Sequence, residues 1–306
     1  MDLHLLENII SIAEEKSITR AAEKRFITQS ALNQQLGKLE RELGTPLFMR
    51  SRDNWQPTPA GESYLAAARQ MLLIKKDAYR RIADCAEIAR RHLAVGLIPE
   101  RGVDMFVEIY PEFHRVFPQV RLEPRECAVT DMLRLISAGE IDLGLATLTA
   151  EQRDGNRYHL LAEEEILLAV PSDHPLAAAG SADPAGAPEI DLARFSDAPF
   201  VRIYRRSTLH SLTEALFREA GFEPHVLFST SSNLSKYRIV ALGLGCALIP
   251  AVYARQGDGV RYFRLMGRPR WQITLCSRRD GWLGEPEKAY IELCRAYWRK
   301  RLTDVG

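Results

Sequence analysis

Leu3, Leu6, Ile9, Ile10 and Ala13 recur at helical spacing and predict a first helix with these residues on its inner face. Two more helix starts follow. Thr19 precedes the apolar run Ala21, Ala22, Phe26, and Thr28 precedes Ala31, Leu32, Leu36, Leu39, Leu43. Both threonines suit N-caps, which accept hydrogen bonds from first-turn amides that lack a partner. The few residues between the runs leave room only for a sharp corner, so the pair predicts a helix-turn-helix. Gly44, just past the second run, suits a left-handed cap, and Pro46 follows it. The stretch 49–58 alternates poorly and suggests a short hairpin, with Trp55 as a packing residue.

A long helix over 59–89 has no interior proline. Leu65, Ala68, Leu72, Lys75, Tyr79, Ile82, Ala86 and Ala89 form one seam, and Tyr64, Ala67, Met71, Ile74, Ala78, Arg81, Cys85 and Ile88 an adjacent one. Such a face is too wide for one partner. The helix is expected to pack on the helix-turn-helix and on its copy in a second subunit.

Arg90, Arg91 and His92 mark a boundary, beyond which strand and helix patterns alternate. Strands are expected over 93–98, 121–127 and 141–146, with helices over 103–117 and 131–138 between them. A new run of strands opens at 164–170. The alternation then repeats with strands over 198–201, 226–228 and 247–249 and helices over 209–220 and 234–242. Strands over 260–265 and 273–276 and a helix over 287–298 close the chain, and 177–188, rich in small residues and proline, suits a surface loop. This order predicts two α/β halves built on parallel sheet.

The polar face of the second helix of the corner carries candidate chemistry. Gln29, Ser30, Asn33, Gln34 and Lys38 point away from the apolar stripe. Side-chain amides present a donor and an acceptor on one fork, which matches the paired groups adenine shows in the major groove. Thr28 sits where the helix's positive end can rest on a phosphate. Net charge is only +1, and residues 1–58 hold eight Lys or Arg against eight Asp or Glu. DNA affinity must then come from placement, with Arg20, Lys24, Lys38, Arg50 and Arg52 facing DNA and Glu7, Glu14, Glu40 and Glu42 turned away. Arg50 and Arg52 would reach phosphates or the minor groove from the hairpin.

A chain of 306 residues, 46% hydrophobic, has the length of about two domains. No signal peptide or uncharged membrane-length run appears, so a cytoplasmic protein is expected. Five scattered cysteines, Cys85, Cys127, Cys246, Cys276 and Cys294, suit buried reduced thiols.

Residues 1 to about 65 resemble the winged helix-turn-helix of LysR-type transcriptional regulators. The resemblance rests on the opening Met-Asp-Leu, Ser17-Ile-Thr-Arg-Ala-Ala-Glu, Gln29-Ser-Ala-Leu-Asn-Gln-Gln-Leu, Leu39-Glu-Arg-Glu-Leu-Gly-Thr-Pro-Leu-Phe and Pro57-Thr-Pro-Ala-Gly-Glu, in that order. Ser30, Asn33 and Gln34 depart from the commonest pattern, where proline, serine and arginine are frequent, so the target sequence cannot be borrowed from relatives. The later half is similar to the effector-binding domain of the same family, which has two Rossmann-like lobes resembling type 2 periplasmic binding proteins. Its best local matches are Glu165-Ile-Leu-Leu-Ala-Val-Pro-Ser-Asp-His-Pro-Leu and Gly243-Leu-Gly-Cys-Ala-Leu-Ile-Pro. The resemblance implies a DNA-binding domain over 1–58, a dimerisation helix over 59–89 and an effector domain over 90–306. In that domain, 90–162 and 267–306 form one lobe and 163–266 the other. It further implies double-stranded DNA, a small-molecule effector and RNA polymerase as partners, assembly as a homodimer and then a homotetramer, and no cofactor.

In an open parallel sheet, ligands sit beyond the carboxyl ends of the strands, near helix N-termini. That rule selects Pro99, Glu100, Arg101, Ala128, Val129 and Thr147 from one half and Arg202, Ile203, Tyr204, Thr230 and Ser231 from the other. Arg202 is the expected partner of a carboxylate or other anion, and Arg205 and Arg206 lie close by. Glu100 works against a purely anionic pocket; it would pair with Arg101 or Arg202, or select an amine or hydroxyl. Two other readings stay open here: a cytoplasmic solute-binding protein, which would have no use for 1–58, and an enzyme with an unrecognised site. Against the latter, no His-Glu-x-x-His, Gly-x-Ser-x-Gly or phosphate-binding glycine motif occurs, and the histidines lack ligand spacing.

Overall fold

The computed structural model describes residues 2–50, 54–85, 91–205, 207–257 and 259–303. The chain forms two compact units, Met1–Ile88 and Ala89–Gly306.

The first unit opens with α1 (Leu3–Glu15), capped by Asp2, and α2 (Ile18–Lys24). The cap of α2 is Ser17, which accepts from the Arg20 amide at 3.4 Å, and not Thr19 as expected. The reason is Ile18, a buried residue that takes the first inward position and starts the helix earlier. Phe26 also departs from expectation. It lies past the helix end in a left-handed conformation, φ +54°, and is 96% exposed, while Ile27 packs against the core instead. Thr28 caps α3 (Gln29–Leu43) by accepting from the Ala31 amide at 3.1 Å. Leu32, Leu36 and Leu39 are buried along α3; Leu43, in the last turn, is exposed and outside the stripe assigned to it. Gly44 ends the helix with φ +69°.

Strands β1 (Phe48–Met49) and β2 (Gln56–Pro57) pair antiparallel as the hairpin, with Trp55 6.1 Å from Phe48 between ring centres. The long helix α4 (Pro59–Cys85) packs its first half on the module through Leu65 and Ala68. A Cβ on Gly61 would lie 2.0 Å from the Leu47 carbonyl oxygen, so only glycine admits this approach. Further along α4, Ile74, Tyr79 and Ile82 are exposed. Ala86, Ile88 and Ala89, the ends of both seams, lie outside the described residues.

The second unit begins with β3 (Arg91–Leu97), α5 (Arg101–Val116), β4 (Val120–Glu126), α6 (Val129–Ser137) and β5 (Leu143–Leu148). Strands β4, β3 and β5 are parallel neighbours, as the alternation predicts. The expected strand at 164 is part of a much longer one, β6 (Arg157–Pro171). It continues into β7 (Glu189–Ile190), β8 (Pro199–Ile203), α7 (Thr208–Glu219), β9 (His225–Thr230), α8 (Asn233–Ala241), β10 (Ala247–Pro250), β11 (Val260–Leu265), β12 (Arg270–Ser277) and α9 (Glu285–Thr303).

Parallel pairing is not general. Strands β10, β11 and β12 all run antiparallel to β6. Strand β11 pairs with the last residues of β6 and β12 with its first, so together they run back along its length. Two antiparallel strands therefore cross between two lobes. One lobe buries Leu93, Val95, Met105, Phe113, Met132 and Leu145 with Tyr290 and Trp298 of α9; the other buries Phe200, Phe217, Leu248 and Phe263.

Candidate DNA-reading surface and effector cleft

Gln29, Ser30, Asn33, Gln34 and Lys38 are all exposed on α3, away from its buried leucines. The capping bond commits the Thr28 hydroxyl to the helix itself. Gln29 is steadied by α2, because its Oε1 accepts from the Thr19 hydroxyl at 3.3 Å, which leaves the donors of the same amide to face outward. A shallow depression of about 680 Å³ runs between α3 and the hairpin, with Asn33, Gln34, Arg41, Thr45 and Arg50 on its walls.

The charges are not sorted by side as expected. Arg50 pairs with Glu40 at 2.6 Å and lies 5.6 Å from the centre of the Trp55 ring. Glu40 also holds the Leu47 amide at 2.8 Å and lines the same depression, so it does not face away. Lys24 pairs with Glu14 at 3.1 Å and Glu15 at 2.8 Å, and the Arg20 guanidinium donates to the Glu15 carbonyl. In a module with as many acids as bases, neighbouring helices bring these groups within reach of one another. Arg52 lies outside the described residues.

The cleft belongs to the second unit. At the end of β3 the chain turns through Glu100, whose φ of +61° and ψ of −93° are sparsely populated for a residue with a side chain. Its carboxylate accepts from the Ser232 hydroxyl and, at 3.2 Å, from the Asn233 amide at the start of α8. The expected pairing of Glu100 with Arg101 or Arg202 is therefore not the one formed.

Arg101 instead sends Nη1 to Glu164 at 2.7 Å and is only 5% exposed. Glu164 lies on β6 near the crossing and also accepts from Trp271 Nε1 at 2.8 Å and the Val252 amide at 2.9 Å. Burial disfavours the Arg101 charge, but the adjacent Glu164 carboxylate more than offsets this, and the guanidinium is held protonated more firmly than usual. On the other flank, the Thr208 hydroxyl donates to the Thr147 carbonyl at 2.6 Å and Gln152 Nε2 donates to the Thr208 carbonyl at 3.1 Å.

Between these ties lies a cavity of about 230 Å³. Pro99, Glu100, Arg101, Ala128, Val129, Thr147, Ile203, Tyr204 and Ser231 line it, as the strand-end rule predicts. Arg202 and Thr230 do not. Arg202 is next to Ile203 on one strand, and successive strand residues point to opposite faces, so only one of them can enter the cleft. Arg202 pairs with Glu214 in a separate depression that Arg205 and Arg218 also line. Thr230 accepts from the Ser232 amide at 3.2 Å and shapes the turn into α8. Arg206 lies outside the described residues.

Residues 3–62 match the bacterial regulatory helix-turn-helix proteins of the lysR family, and residues 86–299 match the LysR substrate binding domain. The chain is a LysR-type transcriptional regulator. It is 27% identical to the uncharacterised HTH-type transcriptional regulator YcgK of Bacillus subtilis, over 96% of this chain and 94% of that protein. It is 28% identical to the dual regulator OxyR of Escherichia coli, over 97% and 95%. The full-length OxyR of Pseudomonas aeruginosa carrying a cysteine-to-aspartate substitution matches at a TM-score of 0.67 and 25% identity, covering 98% of this chain and 95% of that one.

This regulator thus joins a DNA-binding helix-turn-helix to an effector-binding domain. Among its described residues, no helix is long and apolar enough to cross a membrane. Ser207, Thr208, Asn233, Tyr253 and Trp271 also line the cavity and were not anticipated. Ser207, Thr208 and Asn233 sit at helix starts, so extending the strand-end rule by a few residues would have found them. Tyr253 and Trp271 carry no such signal.

Proposed function

We propose that the regulator reads base edges through Gln29, Asn33 and Gln34 on α3, with Ser30 and Lys38 positioning the helix on the backbone. The observation that carries this reading is the exposed run of amides on a helix whose opposite face buries Leu32, Leu36 and Leu39 in the core. With Arg50 and Lys24 held by carboxylates, few cations remain for phosphates among the described residues, so a single module binds weakly and pairing is needed at physiological salt. The exposed Ile74, Tyr79 and Ile82 of α4 support pairing of two subunits through this helix, and pairs of dimers would form a tetramer.

The cavity within the second unit is the effector site of this reading. An effector shifts the assembly only through different affinities for its alternative arrangements. The protein acts by binding, not catalysis. Burial pushes the Cys246 and Cys276 thiols up to about 12 and raises Cys294 as well, which disfavours the thiolates that peroxide chemistry would use. Selection of duplexes from a random pool by the full-length protein tests the proposal. Paired half-sites about one helical turn apart, or a multiple of it, are expected. A monomer that shows no preference among duplexes at low salt overturns it.

A further inference from the structure

The start of α8 is a seat built for a carboxylate, with a hydroxyl and a free backbone amide at the positive end of a helix. Here the chain fills that seat itself. Glu100 reaches from one lobe to Ser232 and Asn233 of the other, from a backbone conformation that persists only where its surroundings hold it. Two buried polar groups beside it are left over. Arg101 Nη2 and the Asn233 side-chain oxygen meet no hydrogen-bond partner among the described residues, and both residues line the cavity.

The charge balance points the same way. Arg101 is neutralised by Glu164, which leaves Glu100 as an anion facing the cavity. Behind it, Lys236 is fully buried with its amine on the Leu248 carbonyl at 2.6 Å. Burial lowers its pKa to about 7, with Glu100 opposing that shift and Arg101 adding to it, so near neutral pH it supplies only part of a positive charge. An incoming carboxylate would meet the Glu100 carboxylate and find its natural seat taken.

Resting on the effector reading above, we propose that Glu100 is a built-in clasp occupying the anion seat of α8. The ligand of the cleft is then an uncharged, planar small molecule that offers an acceptor to Arg101 and a donor to Asn233. A volume of about 230 Å³ is below the range of drug-sized sites, and the walls of Ile203, Tyr253 and Trp271 suit an aromatic or amide plane of benzamide size.

Hydrogen exchange and calorimetry on the full-length protein test both halves. In Glu100→Gly, which removes the carboxylate and relieves the backbone, the Asn233 amide should exchange about tenfold faster than in the parent. Formate should restore its protection, whereas chloride at the same ionic strength should not, and neither should affect the parent. Benzamide should bind the parent about tenfold more tightly than benzoate, its near-isostere, and Glu100→Gln should erase that preference. Unchanged exchange in Glu100→Gly overturns the clasp. Benzoate binding at least as tight as benzamide, or no benzamide binding at millimolar concentration, overturns the ligand class. Duplex retardation reports on the effector reading separately: benzamide that binds without altering retardation removes that reading and leaves the clasp in place.

Discussion

The outer face of α3 and the cleft are the two surfaces to which we assign binding, but they keep their polar groups in different states. On α3 the amides of Asn33 and Gln34 stand in water, ready for a partner that comes from outside. In the cleft, Glu100 is bonded to Ser232 and Asn233, Arg101 to Glu164, and Thr208 to Thr147, each pair across a long stretch of chain. A surface that reads DNA has to stay open, whereas a hinge between lobes has to hold itself together when no ligand is bound. Substitutions on the first should therefore change recognition and spare stability, and substitutions that break these pairs in the second should cost stability.

Glu164→Gln should show the largest effect. It leaves Arg101 charged, buried and without its counterion, a loss of about 3–5 kcal/mol, and denaturant unfolding followed on the second unit should register it. The double change Gln29→Ala with Asn33→Ala should leave the unfolding midpoint within about 0.5 kcal/mol of the parent. It should instead lose about 1–3 kcal/mol of discrimination per base contact, seen as relaxed preference in competition between specific and random duplexes. Equal losses on both duplexes would remove the base-reading assignment.

The cleft is also tested through pH. The folded-state pKa of Lys236, about 7, lies below its usual value near 10.5, so between these limits the unfolded chain binds the extra proton. Stability from this residue therefore rises with pH across that window, by at most about tenfold in the folding constant per pH unit, and is flat below it. Lys236→Met should remove the slope when urea midpoints are compared at neutral and alkaline pH. Phe26→Asn should have the smallest effect. An asparagine tolerates the left-handed turn better than phenylalanine, and melting of the protein should show a gain of about 1 kcal/mol with no change in the cleft.

The same contrast governs how much the sequence could tell. Exposure on α3 follows from helical period, so Gln29, Ser30, Asn33, Gln34 and Lys38 were legible from spacing alone. Errors there were local: Ser17 and Thr19 are equally good caps by type, and Phe26 looked like one more apolar position. In the cleft, the strand-end rule named residues of the right neighbourhood, because the position of a loop in an α/β sheet follows from element order. It missed which side of β8 faces inward, and so chose Arg202 along with Ile203. Pairings such as Glu100 with Ser232 depend on how two lobes meet, and no spacing in the chain encodes that distance. The length of β6 was hidden too, since Glu163, Glu164 and Glu165 interrupt its apolar pattern although the strand runs straight through them.

The lobe that opens the second unit is completed by the last helix of the chain. Its interior joins Leu93 to Tyr290 and Trp298, so the first strands leave the ribosome long before the residues that cover them have been translated. The DNA-reading module has no such wait, because its core is contained within the first unit. During synthesis a competent reader of DNA therefore precedes any controlled one, and a prematurely terminated chain would keep its grip on a promoter while exposing the half-built sensor to proteases.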